Sequence, residues 1–155
     1  NNYNYPQATY GEGLKPYVTL KEAIGDAKNI EYLKTLPVKE VLKYEMNAIA
    51  NINPRPYSED LDRFSIPSKT IEYLSSGRPT ISVKNSRLQK DFEQCAIWSK
   101  SSNPEDLCAA MKCVLELSKE EQEELGKKAR TKALTLYSLS SINEVLSKFL
   151  DQFVK

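Results

Sequence analysis

Histidine is absent from the 155 residues of this chain. The sequence therefore holds no Ser-His-Asp or Cys-His catalytic centre and no histidine ligand for a metal ion. Its cysteines and carboxylates form no recognisable metal-binding motif either. We expect no metal site, and any chemistry of this chain would depend on carboxylates, lysines, arginines or backbone dipoles.

The chain has few cysteines, and their spacing does not indicate a site. The three cysteines, Cys95, Cys108 and Cys113, are an odd number and match no zinc or redox motif. Cys108 and Cys113 lie in an apolar helical pattern, which predicts buried free thiols. A reducing compartment fits this usage, so we expect a cytoplasmic protein.

The chain also lacks an excess of one charge and a long apolar run. Lys and Arg number 22 against 21 Asp and Glu, for a net charge of +1. This balance gives no reason to expect a nucleic-acid partner. No apolar stretch approaches the length that spans a bilayer. With 40% hydrophobic residues, the length suits a single domain over residues 1–155.

Short apolar strands alternate with helices along most of the chain. This order predicts an α/β fold with a Rossmann-like parallel sheet flanked by helices and a helical C-terminal end. The predicted strands are Asn29–Leu33, Ala48–Asn53, Thr80–Val83 and Ala96–Trp98. The predicted helices cover about Lys15–Ala27, Pro37–Asn47, Pro67–Gly77 and Arg87–Phe92, followed by three helices starting near Asn103, Ser118 and Ser141.

The helical stretches carry apolar stripes, which we expect to face the core. In the helix after Pro37 the stripe includes Val38, Val41, Leu42 and the pair Glu45/Met46. The other two stripes comprise Leu107, Ala110, Met111, Val114 and Leu115, and then Leu139, Ile142, Leu146, Phe149, Leu150 and Phe153. Ser118 and Glu121 have the spacing of a capping box.

The helix that begins at Pro67 is the strongest functional feature of the sequence. Its first turn carries Ser68 and Lys69, where unpaired N–H groups and the helix dipole can hold a phosphate. Glu72 lies one turn further and can accept hydrogen bonds from a vicinal diol such as a ribose. Together these groups describe a nucleotide diphosphate site. The alternative is that they are ordinary solvated surface residues.

Two segments carry a resemblance to a known family. NPRP (Asn53–Pro56) and SIPSKTIEYLSSGRPTIS (Ser65–Ser82) resemble the donor-binding half of group 1 nucleotide-sugar glycosyltransferases of the GT-B fold, of the kind that assemble surface polysaccharides. Upstream, YGEG (Tyr10–Gly13) and the stretch Asn29–Ala48 are similar to further parts of that domain. The resemblance implies a partial GT-B C-terminal domain.

The resemblance also implies roles at matched positions. Glu72 would hold the donor ribose, and Ser68 and Lys69 would form the diphosphate cradle at the helix tip. No catalytic residue is identified, because the first glutamate of the family motif falls at Phe64.

Five further positions match parts of the family that lie near the nucleotide sugar. Gly11 and Gly13 match a turn beside the nucleotide, and Pro37 matches the part that lines the base. Asn53 and Arg55 lie on the loop that faces the sugar and the diphosphate, where a guanidinium can offset charge on a leaving diphosphate.

The activity implied is transfer of a sugar from a nucleotide diphosphate sugar to a glycan or lipid-linked acceptor, without a metal or a cofactor. Family members often work at the cytoplasmic face of a membrane. The beginning of the donor domain and the whole N-terminal acceptor domain are not recognisable, so we expect a fragment of a larger enzyme. An incomplete sheet leaves an open edge, which predicts self-association.

Two other interpretations remain open. The first is a non-catalytic Rossmann-like binding or assembly module, favoured by Phe64 in place of a glutamate. The second is a different doubly wound protein, such as a sugar-nucleotide epimerase or a receiver-like signalling domain. A receiver would need an acidic cluster at a strand end, and the strand that ends at Asn53 has none.

Overall fold

The computed structural model describes residues 25–56 and 58–153. Contacts between Cα positions divide the chain into two units, Asn1–Leu36 and Pro37–Lys155. The prediction of a single domain over residues 1–155 stays a prediction. Gly11, Gly13 and most of the predicted helix Lys15–Ala27 lie outside the described residues.

In the first unit, residues 25–36 form turns and extended backbone without regular secondary structure. The predicted strand Asn29–Leu33 is therefore wrong, and the described end of the predicted helix, residues 25–27, is not helical. Gly25 and Lys34 both have positive φ, 52° and 57°. These left-handed positions lie on either side of the segment and interrupt an extended run.

The second unit contains the regular structure. In chain order its elements are α1 (Val38–Asn47), β1 (Asn51–Asn53), α2 (Glu59–Phe64), α3 (Ser68–Ser75), β2 (Thr80–Val83), α4 (Ser86–Phe92), β3 (Ile97–Ser99), α5 (Pro104–Glu116), α6 (Lys119–Tyr137) and α7 (Leu139–Leu150). The predicted β2 has the observed bounds, while β1 is three residues shorter than predicted. The helix α2 lies in a segment to which the sequence analysis assigned neither a helix nor a strand.

The three strands form one parallel sheet in the order β1-β2-β3. Ile52 pairs with Ile81, and Ile81 pairs with Ile97. All four residues of the central strand β2 are buried, as is typical of a parallel strand covered on both faces. The predicted α/β class with a parallel sheet flanked by helices is confirmed.

Two apolar clusters form the core. The larger one joins α3, α4 and α6 and contains Leu74, Leu88, Phe92, Cys95, Ala96, Ala129 and Ala133. The smaller one joins β2 to α5 and contains Ile81, Ala110 and Val114. The small residues Ala129 and Ala133 let α6 approach the rest of the larger cluster closely.

The closest approach in this core is between α6 and the turn after α3. Gly77 ends the α3 segment with φ +83°, a left-handed conformation that favours glycine. A Cβ added at Gly126 of α6 would lie 2.1 Å from the Gly77 carbonyl oxygen and 3.0 Å from Cα of Arg78. The two backbones therefore touch, and only glycine fits at position 126.

The N-cap of one helix agrees with the prediction from the sequence, and the N-caps of two other helices differ from it. Ser118 accepts from Glu121 N at 3.2 Å while Glu121 Oε2 accepts from Ser118 N at 2.7 Å, which confirms the capping box. Asn103 precedes α5 but makes no side-chain cap bond. The last helix begins at Leu139 instead of near Ser141, because the hydroxyl of Ser138 caps it by accepting from Ser141 N.

Several residues expected in the core are exposed. They include Val38, Leu42 and Met46 of α1, Met111 and Leu115 of α5, the whole predicted inner face of α7, and the thiols of Cys108 and Cys113. The sheet has only three short strands in the described part of the chain. It cannot cover every apolar stripe, so those that extend past it face solvent. None of the described helices is both long and apolar enough to cross a membrane.

Tyr137, at the end of α6, offers a test of this packing. Its ring stacks on Phe92 with centroids 6.0 Å apart, and its hydroxyl donates to Asp91 Oδ2 at 2.9 Å. Burial, together with this hydrogen bond, raises the pKa of Tyr137 to about 12. Because the pKa is raised in the folded state, the neutral phenol stabilises the fold fully below pH 10.0, the ordinary pKa of tyrosine. This stabilisation is lost as the pH rises from there through the folded-state value.

We expect Tyr137→Phe to lower the free energy of unfolding by about 1 kcal/mol at neutral pH, since one hydrogen bond is lost. Between pH 10.0 and about 12, the variant should lose less stability than the wild type. Urea denaturation over this pH range measures both effects. Parallel alkaline profiles for the two proteins would contradict the role given to the phenol.

Candidate ligand-binding cleft

A polar cleft lies where β1 and β2 end. It is shallow, with a cavity volume of about 30 Å³, and it opens to solvent at its mouth. The carboxyl ends of parallel strands meet at one edge of a sheet, and this edge is where open α/β sheets bind ligands. The lining residues are Asn53, Arg55, Pro56, Ser58, Asp62, Ser65, Pro67, Ser82, Val83, Lys84 and Asn85.

The floor of the cleft is an uncharged hydrogen-bond network. Asn53, the last residue of β1, donates from Nδ2 to the Thr70 hydroxyl at 2.8 Å. The Thr70 hydroxyl also shares a hydrogen bond of 3.1 Å with the hydroxyl of Ser82 on β2. Thr70 and Ser82 are almost fully buried. The network fixes the first turn of α3 against both strands, so the cleft has a rigid base.

The wall beside α4 is closed by side chains that cap that helix. Asn85 Oδ1 accepts from Leu88 N at 3.1 Å, and Asp62 Oδ1 of α2 accepts from Ser86 N at 2.8 Å. The amide groups of Ser86 and Leu88 at this helix start are thereby satisfied by protein oxygens. A ligand in the cleft would meet the strand ends and Pro67, which precedes α3, instead.

Two cationic side chains, Arg55 and Lys84, line the cleft, and both residues are exposed. Among the side chains that the structure describes, neither lies within ion-pair distance of a carboxylate. Asp62 is the acidic residue of the lining, and one of its oxygens already caps α4. The mouth of the cleft is therefore positively charged and can attract an anion.

Lys69 has a different environment. Its ammonium donates to Glu45 Oε1 at 2.8 Å and to Glu72 Oε1 at 2.9 Å, linking α1 to α3. Burial by itself would lower the pKa of Lys69, but the hydrogen bonds to the two carboxylates outweigh it and raise that pKa above its usual range. Lys69 also lies over the ring of Tyr73, 5.3 Å from the centroid. Its charge is thus balanced within the protein.

Glu45 is the buried member of this triad. Only 5% of the residue is exposed, and its Oε2 has no hydrogen-bond partner among the described residues. A buried carboxylate of this kind depends on its cation. Sequence reasoning placed Glu45 on the apolar side of α1 by spacing alone, but it gave no sign that Lys69 would be its partner.

The predicted site residues separate into two groups. Asn53 and Arg55 line the cleft. Ser68, Lys69 and Glu72 lie in the first turns of α3 outside the lining, with Ser68 and Lys69 exposed. Their assignment to a ligand stays a prediction.

One further predicted position lies elsewhere, two are not among the described residues, and the cleft adds residues of its own. Pro37 is exposed and occupies the N-cap of α1, and the glycines at positions 11 and 13 lie outside the described residues. The lining residues that the sequence reasoning missed include Asp62, Ser82, Lys84 and Asn85. Thr70 lies outside the lining and holds Asn53 and Ser82 by hydrogen bonds. Lys84 and Asn85 directly follow β2, so the rule that ligands bind at the carboxyl ends of parallel strands could have found them.

Comparison with known proteins gives one short similarity. The chain is 74% identical over 27 residues to the Type II methyltransferase M.BspRI of Lysinibacillus sphaericus. The matched segment covers 16% of this chain and 6% of that protein. No family model matches the chain, and no solved structure matches it.

These findings contradict the glycosyltransferase interpretation. The named similarity is to a methyltransferase, which is a different class of enzyme, and no family model supports the donor domain of a glycosyltransferase. The expected GT-B family membership, the sugar-transfer activity and the role in polysaccharide biosynthesis are therefore corrected. The motifs at Asn53–Pro56 and Ser65–Ser82 were misleading because a helix with proline first and glycine last, beside a parallel strand, suits many α/β sheets.

Proposed function

We propose that residues 37–155 form a Rossmann-like binding module whose cleft takes a phosphate-bearing small molecule. The observation that carries this proposal is the pair Arg55 and Lys84, two cations that line one cleft and form no ion pair with a described carboxylate. The same cleft is lined by the uncharged side chains of Asn53 and Ser82, which Thr70 holds in place by hydrogen bonds. An anion bound between Arg55 and Lys84 would be paired without displacing a protein carboxylate.

The first turn of α3 adds to the attraction for a phosphate. Pro67 is buried, lines the cleft and precedes this helix. The amide groups that follow it lie at the positive end of the helix dipole. A planar guanidinium at Arg55 can bind two phosphate oxygens at once, while Lys84 supplies a point charge.

A nucleoside diphosphate, free or as part of a nucleotide sugar, is the ligand we propose. Its diphosphate would lie between Arg55 and Lys84, and its ribose along the exposed side of α3. Glu72 uses Oε1 to bind Lys69 and has a second carboxylate oxygen for a ribose hydroxyl. The cytoplasmic location expected from the cysteines belongs to the same proposal. The 27-residue similarity is too short for us to propose methyl transfer.

The test is a titration of the isotope-labelled chain with inorganic pyrophosphate, UDP, GDP and ADP, followed by amide-resolved NMR. We expect shifts at Asn53, Arg55, Lys84 and Asn85 with all four compounds. Lys84→Ala should weaken binding of each of them at least 10-fold, since one of two direct ion pairs is lost. Glu72→Ala should weaken the nucleotides and leave pyrophosphate unchanged.

Lys112→Ala is the matched control, because it removes the same charge from an exposed position on α5 outside the cleft. It should bind as the wild type does. A well-dispersed spectrum without shifts in any titration would overturn the proposal. Equal weakening by Lys84→Ala and Lys112→Ala would do the same, since attraction would then depend only on total charge.

A further inference from the structure

A second concave surface, the α6 groove, runs along one side of α6. Its cavity volume is about 620 Å³, and it opens widely to solvent. This volume is within the range of small-molecule sites, about 300–1,000 Å³. The residues that line the α6 groove are Cys95, Glu124, Lys127, Lys128, Thr131, Lys132, Thr135 and Leu136.

The lining is apolar although half of its residues carry a charge. Seven of the eight residues lie on α6, at the three- and four-residue spacing that places side chains along one side of a helix. The surface that they present to the groove is almost entirely apolar. Long lysine side chains give such a surface, because their methylene stems cover a wall while the ammonium groups reach water. The eighth residue, Cys95, belongs to the larger core cluster, so the groove reaches down to the core.

The rim of the α6 groove carries more positive than negative charge. Lys128 forms an ion pair with Glu124 at 2.6 Å. Lys127 and Lys132 lie outside ion-pair distance of every carboxylate among the residues that the structure describes. These two lysines are five residues apart, so they flank the groove on two sides of the helix. A ligand that complements this surface needs an apolar body and an anionic group.

The dimensions of the groove favour a single extended chain. Its lining extends along α6 from Glu124 to Leu136, which is about 18 Å of helix. The cavity volume spread over that length gives a mean cross-section of about 35 Å². A partner helix, about 10–12 Å across with its side chains, would need more than twice this area. The groove is therefore too narrow to enclose a helix.

An alkyl chain suits the chemistry of the groove better than an extended peptide does. The backbone N–H groups of α6 along the groove are bound within the helix, and the Thr135 hydroxyl donates to the Thr131 carbonyl oxygen at 2.9 Å. A peptide would find few donors for its C=O groups, and unpaired polar groups are costly to bury. An alkyl chain has no such groups.

We propose that the α6 groove binds a free fatty acid, with its alkyl chain on the apolar wall and its carboxylate held by the ammonium groups of Lys127 and Lys132. Carbon–carbon bonds of about 1.5 Å advance an extended chain by about 1.25 Å per carbon. A chain of about 12–14 carbons then matches the length of the groove. The proposal is independent of the phosphate site, because the two sets of lining residues do not overlap.

An NMR titration of the isotope-labelled chain with dodecanoate, kept below its micelle concentration, tests the proposal. We expect amide shifts at Cys95, Lys128 and Thr131. Dodecyltrimethylammonium has the same alkyl chain with the opposite charge and should bind about 10-fold more weakly or not at all. Butanoate keeps the carboxylate without the long chain and should cause no shifts. Vesicles of phosphatidylglycerol, whose anionic lipids have two chains, should not bind the protein in a co-sedimentation assay.

The apolar wall is tested by filling the groove. Thr131→Trp does so without changing the charge, so dodecanoate should bind about 10-fold more weakly. Ser147→Trp is the matched control, because it adds the same ring at an exposed position of α7 outside the groove. This control should bind dodecanoate as the wild type does.

The charge is tested by a pair of substitutions. Lys127→Gln/Lys132→Gln removes both unpaired lysines and should weaken dodecanoate about 10-fold. Lys100→Gln/Lys112→Gln removes the same charge from two exposed positions outside the groove and should leave binding unchanged. Circular dichroism should show native helix content in every variant, since all the substituted residues are exposed.

A well-dispersed spectrum without shifts on addition of dodecanoate would overturn the proposal. Equal binding of the cationic amphiphile, or unweakened binding by Thr131→Trp or by the Lys127/Lys132 variant, would overturn it as well. Binding to the vesicles would replace the fatty acid by a membrane surface. Shifts confined to the exposed apolar side chains of α7 would also overturn it, because the ligand would then adsorb on that helix.

Discussion

Replacing Gly126 with alanine is expected to lower the free energy of unfolding by about 2–4 kcal/mol. The free-energy cost of overpacking against rigid backbone reaches or exceeds the usual cost of overpacking a core. The added methyl group would lie 2.1 Å from the Gly77 carbonyl oxygen and 2.6 Å from its carbon. Backbone atoms at such distances must move apart. The approach of α6 to the turn after α3 would open, next to the packing of α3 on α6, which is among the most extensive contacts between elements of the fold.

The sign of this prediction is what makes it informative. In a solvent-exposed helix interior, alanine is more stable than glycine by about 1 kcal/mol. Gly126 is buried in the middle of the 19-residue helix α6. If the helix had room at this position, the substitution would raise stability. A loss of stability can therefore come only from the close approach of the two backbones.

Chemical denaturation of Gly126→Ala beside Glu123→Ala measures the effect. Glu123 is exposed on the same helix, so its replacement should change the unfolding free energy by less than about 0.5 kcal/mol. An unchanged or increased stability of Gly126→Ala would show that α6 does not lie against Gly77 as described.

Local sequence signals predicted the elements that have clear ends. The helix α3 is bounded by Pro67 and Gly77, and the β-branched run of β2 lies directly after it. The capping box at Ser118 fixed the start of α6. Each of these signals acts through backbone geometry within a few residues, so it does not depend on what packs against the element.

Burial was predicted less well, since an apolar stripe indicates only which side of a helix avoids water. The stripe of α7 has correct helical spacing, yet Leu139 and Phe153 are strongly exposed. Whether a stripe is covered depends on the size of the sheet and on other chains. The predicted strand Asn29–Leu33 failed for a related reason, since a strand exists only where a neighbour pairs with it.

The candidate cleft was predictable only in part. Asn53 and Arg55 were predicted from the family resemblance, and both line the cleft at the carboxyl end of β1, where parallel sheets bind ligands. This rule applies equally to Lys84 after β2, which the comparison of motifs passed over. The pairing of Lys69 with Glu45 joins residues 24 positions apart, so no local pattern contains it. Resemblance in short motifs was the weakest guide, because it named an enzyme class that the comparisons contradict.

The triad of Glu45, Lys69 and Glu72 gives the second large effect. Lys69→Met retains the apolar stem of the side chain and removes the ammonium. Glu45 is then left as a buried carboxylate, 5% exposed, with neither oxygen paired by a side chain. Breaking a buried ion pair in this way typically costs several kcal/mol. Nearly half of the Lys69 side chain is exposed to water, which reduces the effect, so we expect a loss of about 2–4 kcal/mol.

Glu72→Gln is the matched control. It removes the charge of Glu72, whose side chain is 39% exposed. The ion pair between Lys69 and the buried Glu45 stays intact. An ion pair of this exposure contributes about 0–1 kcal/mol. Lys69→Met removes both ion pairs of the ammonium, whereas Glu72→Gln removes only the partly exposed one. Only Lys69→Met leaves a charge buried.

The double variant Glu45→Met/Lys69→Met separates the value of the pair from the penalty of leaving one member alone. Replacing a buried ion pair by apolar side chains of similar volume is often nearly neutral, so the double variant should lie within about 1 kcal/mol of the wild type. Urea denaturation of the wild type, Glu45→Met, Lys69→Met and the double variant completes the cycle, with Glu72→Gln measured beside them. If Lys69→Met were no less stable than Glu72→Gln, or if the second substitution did not restore stability, Glu45 would not be the buried partner that holds α1 to α3.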